Sequence, residues 1–167
     1  MNSIKMLVGL LMFVITSVSF SQKTIPLVLE RLNKNSVPYV TVEQLKTNPS
    51  YILLDAREAR EYKVSHIKNA LFVGFDKFDG QKLLKAVPDK NAVIVVYCSV
   101  GVRSEIIGEK LQKLGYTAVL NLYGGIFEWK NSGGKVWKTK GVETDSVHTY
   151  DKSWSQYLKK GTKVYGK

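Results

Sequence analysis

The chain's single cysteine, Cys98, ends the apolar run Val93-Ile94-Val95-Val96-Tyr97 and opens the short segment Ser99-Val100-Gly101-Val102-Arg103. Helical spacing follows from Ser104 to about Leu114. A thiol at a strand tip, facing a helix N-terminus, ionises readily because backbone N–H groups and the helix dipole both favour a thiolate. Arg103 adds a cation. These residues could perform nucleophilic chemistry on an anion, with Cys98 attacking and Ser99, Val100, Gly101, Val102, Arg103 and Ser104 cradling the substrate. A lone cysteine can equally be an inert small hydrophobe. The strand–loop–helix setting favours the reactive reading.

The surrounding elements would have to position that loop. Thr41 starts a helix signal with Gln44 in the capping-box position, ending near Asn48-Pro49. Tyr51 to Asp55 reads as a buried strand, Arg57 to Tyr62 as a short helix or turn, and Leu71 to Val73 as a short strand. Gly80 to Val87 has helical spacing and is stopped by Pro88. Residues 92–97 suit a central parallel strand covered on both faces. Ile107, Leu111 and Leu114 form one stripe of the next helix, with Gly115 as its C′ residue. Ala118 to Leu122 is a further strand, and Ile126 to Asn131 a short helix containing Trp129, expected in the core. This alternation is the α/β pattern, a parallel sheet with helices on both faces. Reactive sites in such sheets lie at the C-terminal ends of the strands, where Cys98 falls.

The two ends differ from the middle. Lys5 is the only charged side chain among the first 22 residues, and the apolar stretch Met6–Ile15 is followed by Thr16-Ser17-Val18-Ser19-Phe20-Ser21. That order is a secretory signal with cleavage after Ser21, and it implies export to a periplasmic or extracellular space. Membrane attachment follows only if this segment is retained. Residues 22–40 read as a linker, 41–140 as the domain, and 141–167 as a basic tail able to form one short helix over 151–160. Of the net charge of +11, residues 130–167 carry +6. No nucleic-acid motif accompanies it, so a solvated surface is expected rather than a specific nucleic-acid partner. With one cysteine there is neither an internal disulfide nor a resolving thiol. His66, His148 and Cys98 lack metal-ligand spacing, so neither a metal nor another cofactor is expected. A monomer is expected.

Cysteine phosphatases place five residues between the nucleophile and the arginine, whereas four separate Cys98 from Arg103. The shorter loop suits a single sulfur better than a phosphoryl group. From about Thr41 to Lys140 the chain resembles a single rhodanese domain, of the sulfurtransferase family. The resemblance rests on Leu54-Asp55-Ala56-Arg57 with Glu58 and Glu61-Tyr62, and on His66-Ile67-Lys68-Asn69-Ala70. It rests also on Cys98 through Arg103-Ser104, and on Leu122-Tyr123-Gly124-Gly125-Ile126 with Trp129. Ser65 and Asn69 stand where the family favours glycine.

The resemblance implies a rhodanese-like three-layer α/β/α fold and a thiosulfate sulfurtransferase. Cys98 would take a sulfane sulfur from a small anionic donor such as thiosulfate, hold it as a persulfide, and pass it to cyanide or a thiol. Arg103 is expected to attract the dianionic donor. Arg57 could help hold substrate, although a structural charge pair with Asp55 is the simpler role. His66 in its turn suggests a scaffold hydrogen bond. The alternatives are a Cys-dependent phosphatase or arsenate reductase, and a non-catalytic rhodanese-like binding module.

Overall fold

The computed structural model describes residues 24–166. The expected secretory signal at 1–21 lies outside them. Five strands form a parallel sheet in the order β1-β5-β4-β2-β3. They are β1 (Tyr39–Val40), β2 (Ile52–Asp55), β3 (Leu71–Phe72), β4 (Ile94–Tyr97) and β5 (Val119–Leu122). Helices α1 (Ile25–Leu32), α2 (Val42–Thr47), α3 (Ala59–Val64), α4 (Gly80–Ala86), α5 (Val102–Lys113) and α6 (Gly125–Asn131) connect and cover them. All four residues of the central strand β4 are buried, as its unbroken apolar run requires.

Side-chain alternation along β4 divides the core into two layers. Val95 and Tyr97 face Leu29, Leu45, Ile126 and Phe127. Ile94 and Val96 face Leu83, Ile107 and Leu111. The fold is therefore the expected three-layer α/β/α arrangement. The capping box forms as read: Thr41 Oγ1 accepts from the Gln44 N–H at 3.2 Å, and Gln44 Oε1 accepts from the Thr41 N–H at 2.8 Å. Gly115 sits at φ +90°, the left-handed turn that ends α5.

Two expectations need correction. Residues 22–40 are not a linker throughout. Pro26 sits in the first turn of α1, and its apolar stripe buries Ile25 and Leu29 in the core. Val37 is buried too, and β1 supplies an edge strand of the sheet. Nor is 141–167 a tail. After β6 (Val136–Trp137), paired with β7 (Glu143–Thr144), the chain forms β8 (Ser146–His148), a four-residue 3₁₀ turn (Trp154–Tyr157) and β9 (Thr162–Val164). Val147, Tyr157 and Leu158 join the core layer beneath β4. The expected helix shrinks to that turn. Its N-cap is Ser153, and Asp151 just before it accepts from the N–H groups of Ser153 and Trp154 at 2.7 and 3.2 Å.

Candidate active site

Register brings the C-terminal ends of β2, β4 and β5 together, with Asp55 beside Tyr97 and Val96 beside Asn121. Cys98 leaves β4 there. Helix α5 begins at Val102, two residues earlier than its spacing suggested, because Gly101 at φ +118° turns the chain directly into it. A Cβ at position 101 would lie 3.2 Å from Leu29 Cδ2 in a conformation that disfavours side chains. Arg103 and Ser104 consequently stand in the first helical turn.

The loop's carbonyls are tied outward. Cys98 O accepts from the Ile126 N–H at 2.9 Å, and Ser99 O from the Phe127 N–H at 3.1 Å. Gly101 O accepts from Asn121 Nδ2 at 2.8 Å and from Asn33 Nδ2 at 3.0 Å. With that carbonyl fixed, the Gly101 N–H donates to Cys98 Sγ at 3.2 Å. Ser104 Oγ lies 3.5 Å from the sulfur and donates to Asn121 Oδ1 at 2.7 Å. Gly125 explains the paired glycines of the sequence. A Cβ there would stand 2.4 Å from Cys98 O, so only glycine lets the start of α6 reach the loop.

Burial by itself raises the Cys98 thiol. The Arg103 charge, the Ser104 hydroxyl and the amides of Ser104 and Gly101 outweigh it, and the thiol lies below its ordinary value. The sulfur is thus a buried thiolate-forming group held by amides. Among Ser99 to Arg103, the Gly101 amide is the one within hydrogen-bond distance of Sγ.

Arg103 is not open to a dianion as expected. Its Nη1 and Nη2 donate to Glu61 Oε2 and Oε1 at 2.7 and 2.8 Å, a bidentate pair, and Nη2 also meets Ser99 Oγ at 3.0 Å. Glu61 is fully buried, and burial pushes its carboxyl up. Arg103 and, further off, Arg57 pull it below the ordinary range. Glu61 also accepts from the Glu58 N–H at 2.9 Å, which fixes it at the start of α3. The positive charge near the sulfur is real, but its partner is already in place.

Arg57 is a structural residue. Its side chain is fully buried, paired with Asp55 at 2.7 Å, and donates to Ser65 O at 2.6 Å. It does not line the cavity at Cys98. His66 has the expected scaffold role: its backbone pairs with Trp137, and its ring stacks on Tyr62 at 4.0 Å between centroids. Trp129 is half-buried, and its Nε1 donates to Lys135 O at 2.8 Å.

Residues 40–132 match the model of the rhodanese-like domain, more than half of the chain. The chain belongs to the rhodanese-like domain family. It is 36% identical over 93 residues to the tRNA uridine(34) hydroxylase of Photorhabdus laumondii, covering 53% of this chain and 26% of that protein. It therefore spans about a quarter of the length of that relative. A rhodanese-related protein from Thermoplasma volcanium has a similar structure, with 27% identity, a TM-score of 0.53, and coverage of 59% of this chain and 96% of that one. The fold is also that of a thiosulfate sulfurtransferase from Pseudomonas aeruginosa, with a TM-score of 0.58 and 21% identity. That alignment covers 71% of this chain and 23% of the other. The family thus includes proteins named for enzymatic activities.

The rhodanese-like region holds Cys98, but segments on both sides of it complete the cavity above it. A cavity of about 220 Å³ opens on Cys98, Ser99 and Arg103. Its walls include Val100 and Val102, and also Leu32 from α1 and Tyr150 and Trp154 from the C-terminal segment. The Tyr150 ring lies over the guanidinium groups of Arg103 and Arg60, at 5.2 and 5.4 Å. Sequence reading missed Glu61, Asn33, Asn121, Leu32, Tyr150 and Trp154 as site residues. Asn121 left a signal: it is a polar residue in a strand that must be buried. Trp154 also left one, because it shares an apolar face with Tyr157 and Leu158. Asn33 left none.

Proposed function

We propose that the protein is a sulfurtransferase in which Cys98 carries a sulfane sulfur from an anionic donor, such as thiosulfate, to cyanide or a thiol. The observation that carries this reading is the Gly101 N–H on Cys98 Sγ at 3.2 Å, in a loop whose carbonyls are held outward. Such a loop stabilises negative charge on sulfur, whether thiolate or persulfide.

In the first half-reaction the Cys98 thiolate attacks the outer sulfur of the donor. A new S–S bond forms, the donor's own bond to that sulfur breaks, and its electron pair leaves with sulfite when the donor is thiosulfate. In the second, the acceptor attacks the terminal sulfur and the Cys98 thiolate departs with its electrons. No redox partner is needed, which fits a chain with one cysteine. Arg103 lowers the pKa of the Cys98 thiol through its charge, and Glu61 holds Arg103 in place.

The test is intact mass after incubation with excess thiosulfate. A gain of about 32 Da that disappears with cyanide and is missing in Cys98→Ala supports the reading. Hydrolysis of an aryl phosphate without such a gain would replace it with the phosphatase reading. No reaction with either reagent would leave the binding-module reading. We also propose export, supported by the order of residue types in 1–21. N-terminal sequencing of the mature chain tests it, with Gln22 expected first.

A further inference from the structure

The cavity over Cys98 has mostly apolar walls, which suit a donor with an apolar group better than a bare dianion. Leu32, Val100, Val102, Tyr150 and Trp154 supply apolar walls. The cation at its mouth is neutralised: Arg103 gives two hydrogen bonds to Glu61 and lies beneath the Tyr150 ring. A dianion entering here would lose hydration against these walls, and the one arginine that lines the cavity, Arg103, is already paired with Glu61. Leu32, Tyr150 and Trp154 all lie outside the family-matched region 40–132. These three walls are therefore an addition to the domain, beside Val100 and Val102 from within it.

Resting on the sulfurtransferase reading, we propose that the sulfur reaches Cys98 on a carrier bearing one negative charge and an apolar group, which lies against Leu32, Tyr150 and Trp154. These three side chains determine which donor is used. An engineered apolar cavity of about 150 Å³ holds benzene. At about 220 Å³, this one has room for an aryl or short alkyl group with its sulfur directed at Sγ. Organic thiosulfonates and organic persulfides share the required chemistry. With a thiosulfonate, R–SO2–S⁻, the Cys98 thiolate bonds to the outer sulfur, the S–S bond breaks, and the electron pair leaves as the sulfinate R–SO2⁻. With a persulfide, the same bond breaks and R–S⁻ leaves. Each exchange conserves charge and needs no oxidant.

Tyr150 is held for this task. It sits at φ +68°, a conformation uncommon for a bulky residue, and its N–H donates to His148 Nδ1 at 3.0 Å. His148 Nε2 lies 3.2 Å from Gly166 O, so that nitrogen carries the proton and leaves Nδ1 free to accept. The strained turn places the ring between the arginines and the cavity.

The experiment compares benzenethiosulfonate, methanethiosulfonate and thiosulfate as donors to cyanide, measuring kcat/KM for the full chain and the sulfur adduct on Cys98 by mass. Benzenethiosulfonate should exceed methanethiosulfonate by about tenfold or more, the range that apolar pockets give for small hydrocarbon differences. Trp154→Ala should erase most of that ratio. Leu32→Ser, at a half-exposed position that tolerates a polar side chain, and Tyr150→Asn, which accepts the same backbone angle, should each reduce it about threefold. Adduct formation without an aryl preference, or a preference unchanged in all three variants, would overturn the proposal and leave the sulfurtransferase reading standing. No adduct from any donor would overturn both. An unchanged donor ratio, with Trp154→Ala converting a dimer to a monomer in sedimentation, would assign the apolar walls to a second copy and also overturn the proposal.

Discussion

Two arginine–carboxylate pairs stand at the C-terminal edge of the sheet, and they face different surroundings. Arg57 and Asp55 are both fully buried, and Arg57 Nη2 also donates to the Ser65 carbonyl, while its Nη1 is buried without a partner. Arg103 is 18% exposed against a fully buried Glu61, and it borders the cavity at Cys98. Both arginines remain protonated: burial opposes their charge, and the paired carboxylates outweigh it. The sealed pair shapes a turn, whereas the arginine of the bordering pair lowers the pKa of a thiol. The sequence left Arg57 open as a substrate ligand, with a structural pair to Asp55 as the simpler role, and expected Arg103 to attract the donor; burial separates the two.

Breaking the sealed pair should have the largest effect. Arg57→Ala leaves the Asp55 carboxylate buried without its cation, which typically costs about 3–5 kcal/mol. Urea unfolding should show that loss, with no special change in thiol reactivity in whatever fraction folds. A stability loss under about 1 kcal/mol would mean that the turn tolerates an unpaired Asp55.

Arg103→Ala should cost less, about 2–3 kcal/mol, because its guanidinium is partly hydrated in the native state. It should also raise the Cys98 thiol, since Arg103 is the largest of the influences lowering it. The rate of iodoacetamide alkylation against pH reads that shift directly. The pair Glu61→Leu with Arg103→Met sharpens the comparison. It should recover much of the stability while leaving the thiol raised, because packing replaces the pair but nothing replaces the charge. Acid tests the same pair. Glu61 lies below its unfolded value, so its contribution is complete above the ordinary carboxylate range near about pH 4.3 and is lost as pH falls through the lowered native value.

Gly125→Ala should come next. Its φ is +55°, and a Cβ would meet Cys98 O at 2.4 Å and Ser99 O at 2.7 Å. The strain and the displaced loop should cost about 1–3 kcal/mol. Sulfur loading should fall further than stability, because the clash pushes on the carbonyls that keep the Gly101 amide on the sulfur. Equal loading in the folded variant would show that α6 does not hold the loop.

The sheet and the loop were legible because their signals are local. An unbroken Val/Ile run, a capping box and a glycine after a strand each act through neighbours in sequence. The origin of the loop's rigidity was not legible. Asn33, Asn121 and Gly125 converge on residues 98–101 from three separate elements, and no spacing rule links them. Glu61 was visible only as a charged residue of a motif. Its role as the partner of Arg103 depends on a contact across 42 positions. The flanking segments were misread for a related reason. α1 is short, and β8 and β9 are three residues each, so their periodicity is too brief to stand out. Their order comes from packing Leu29, Val147 and Leu158 onto the sheet.

The smallest effect should come from the residue that holds Tyr150 over the bordering pair. Burial lowers the His148 imidazole, and Arg60 and Arg57 act in the same direction. The Gly166 carbonyl and Glu61 oppose them without reversing the shift. Its contribution to stability is therefore complete above the ordinary histidine value near about pH 6.5 and is lost as pH falls through the lowered native value. A protonated Nδ1 cannot accept the Tyr150 N–H, so the strained turn loses its anchor and the ring leaves Arg103. His148→Asn keeps an acceptor close to the Nδ1 position and removes the titration. Wild type should lose Tm between pH 7.5 and pH 5 and show a falling preference for the aryl donor, whereas the Asn variant should hold both nearly constant. Parallel loss in the two proteins would assign the acid sensitivity to another group and leave Tyr150 anchored by packing alone.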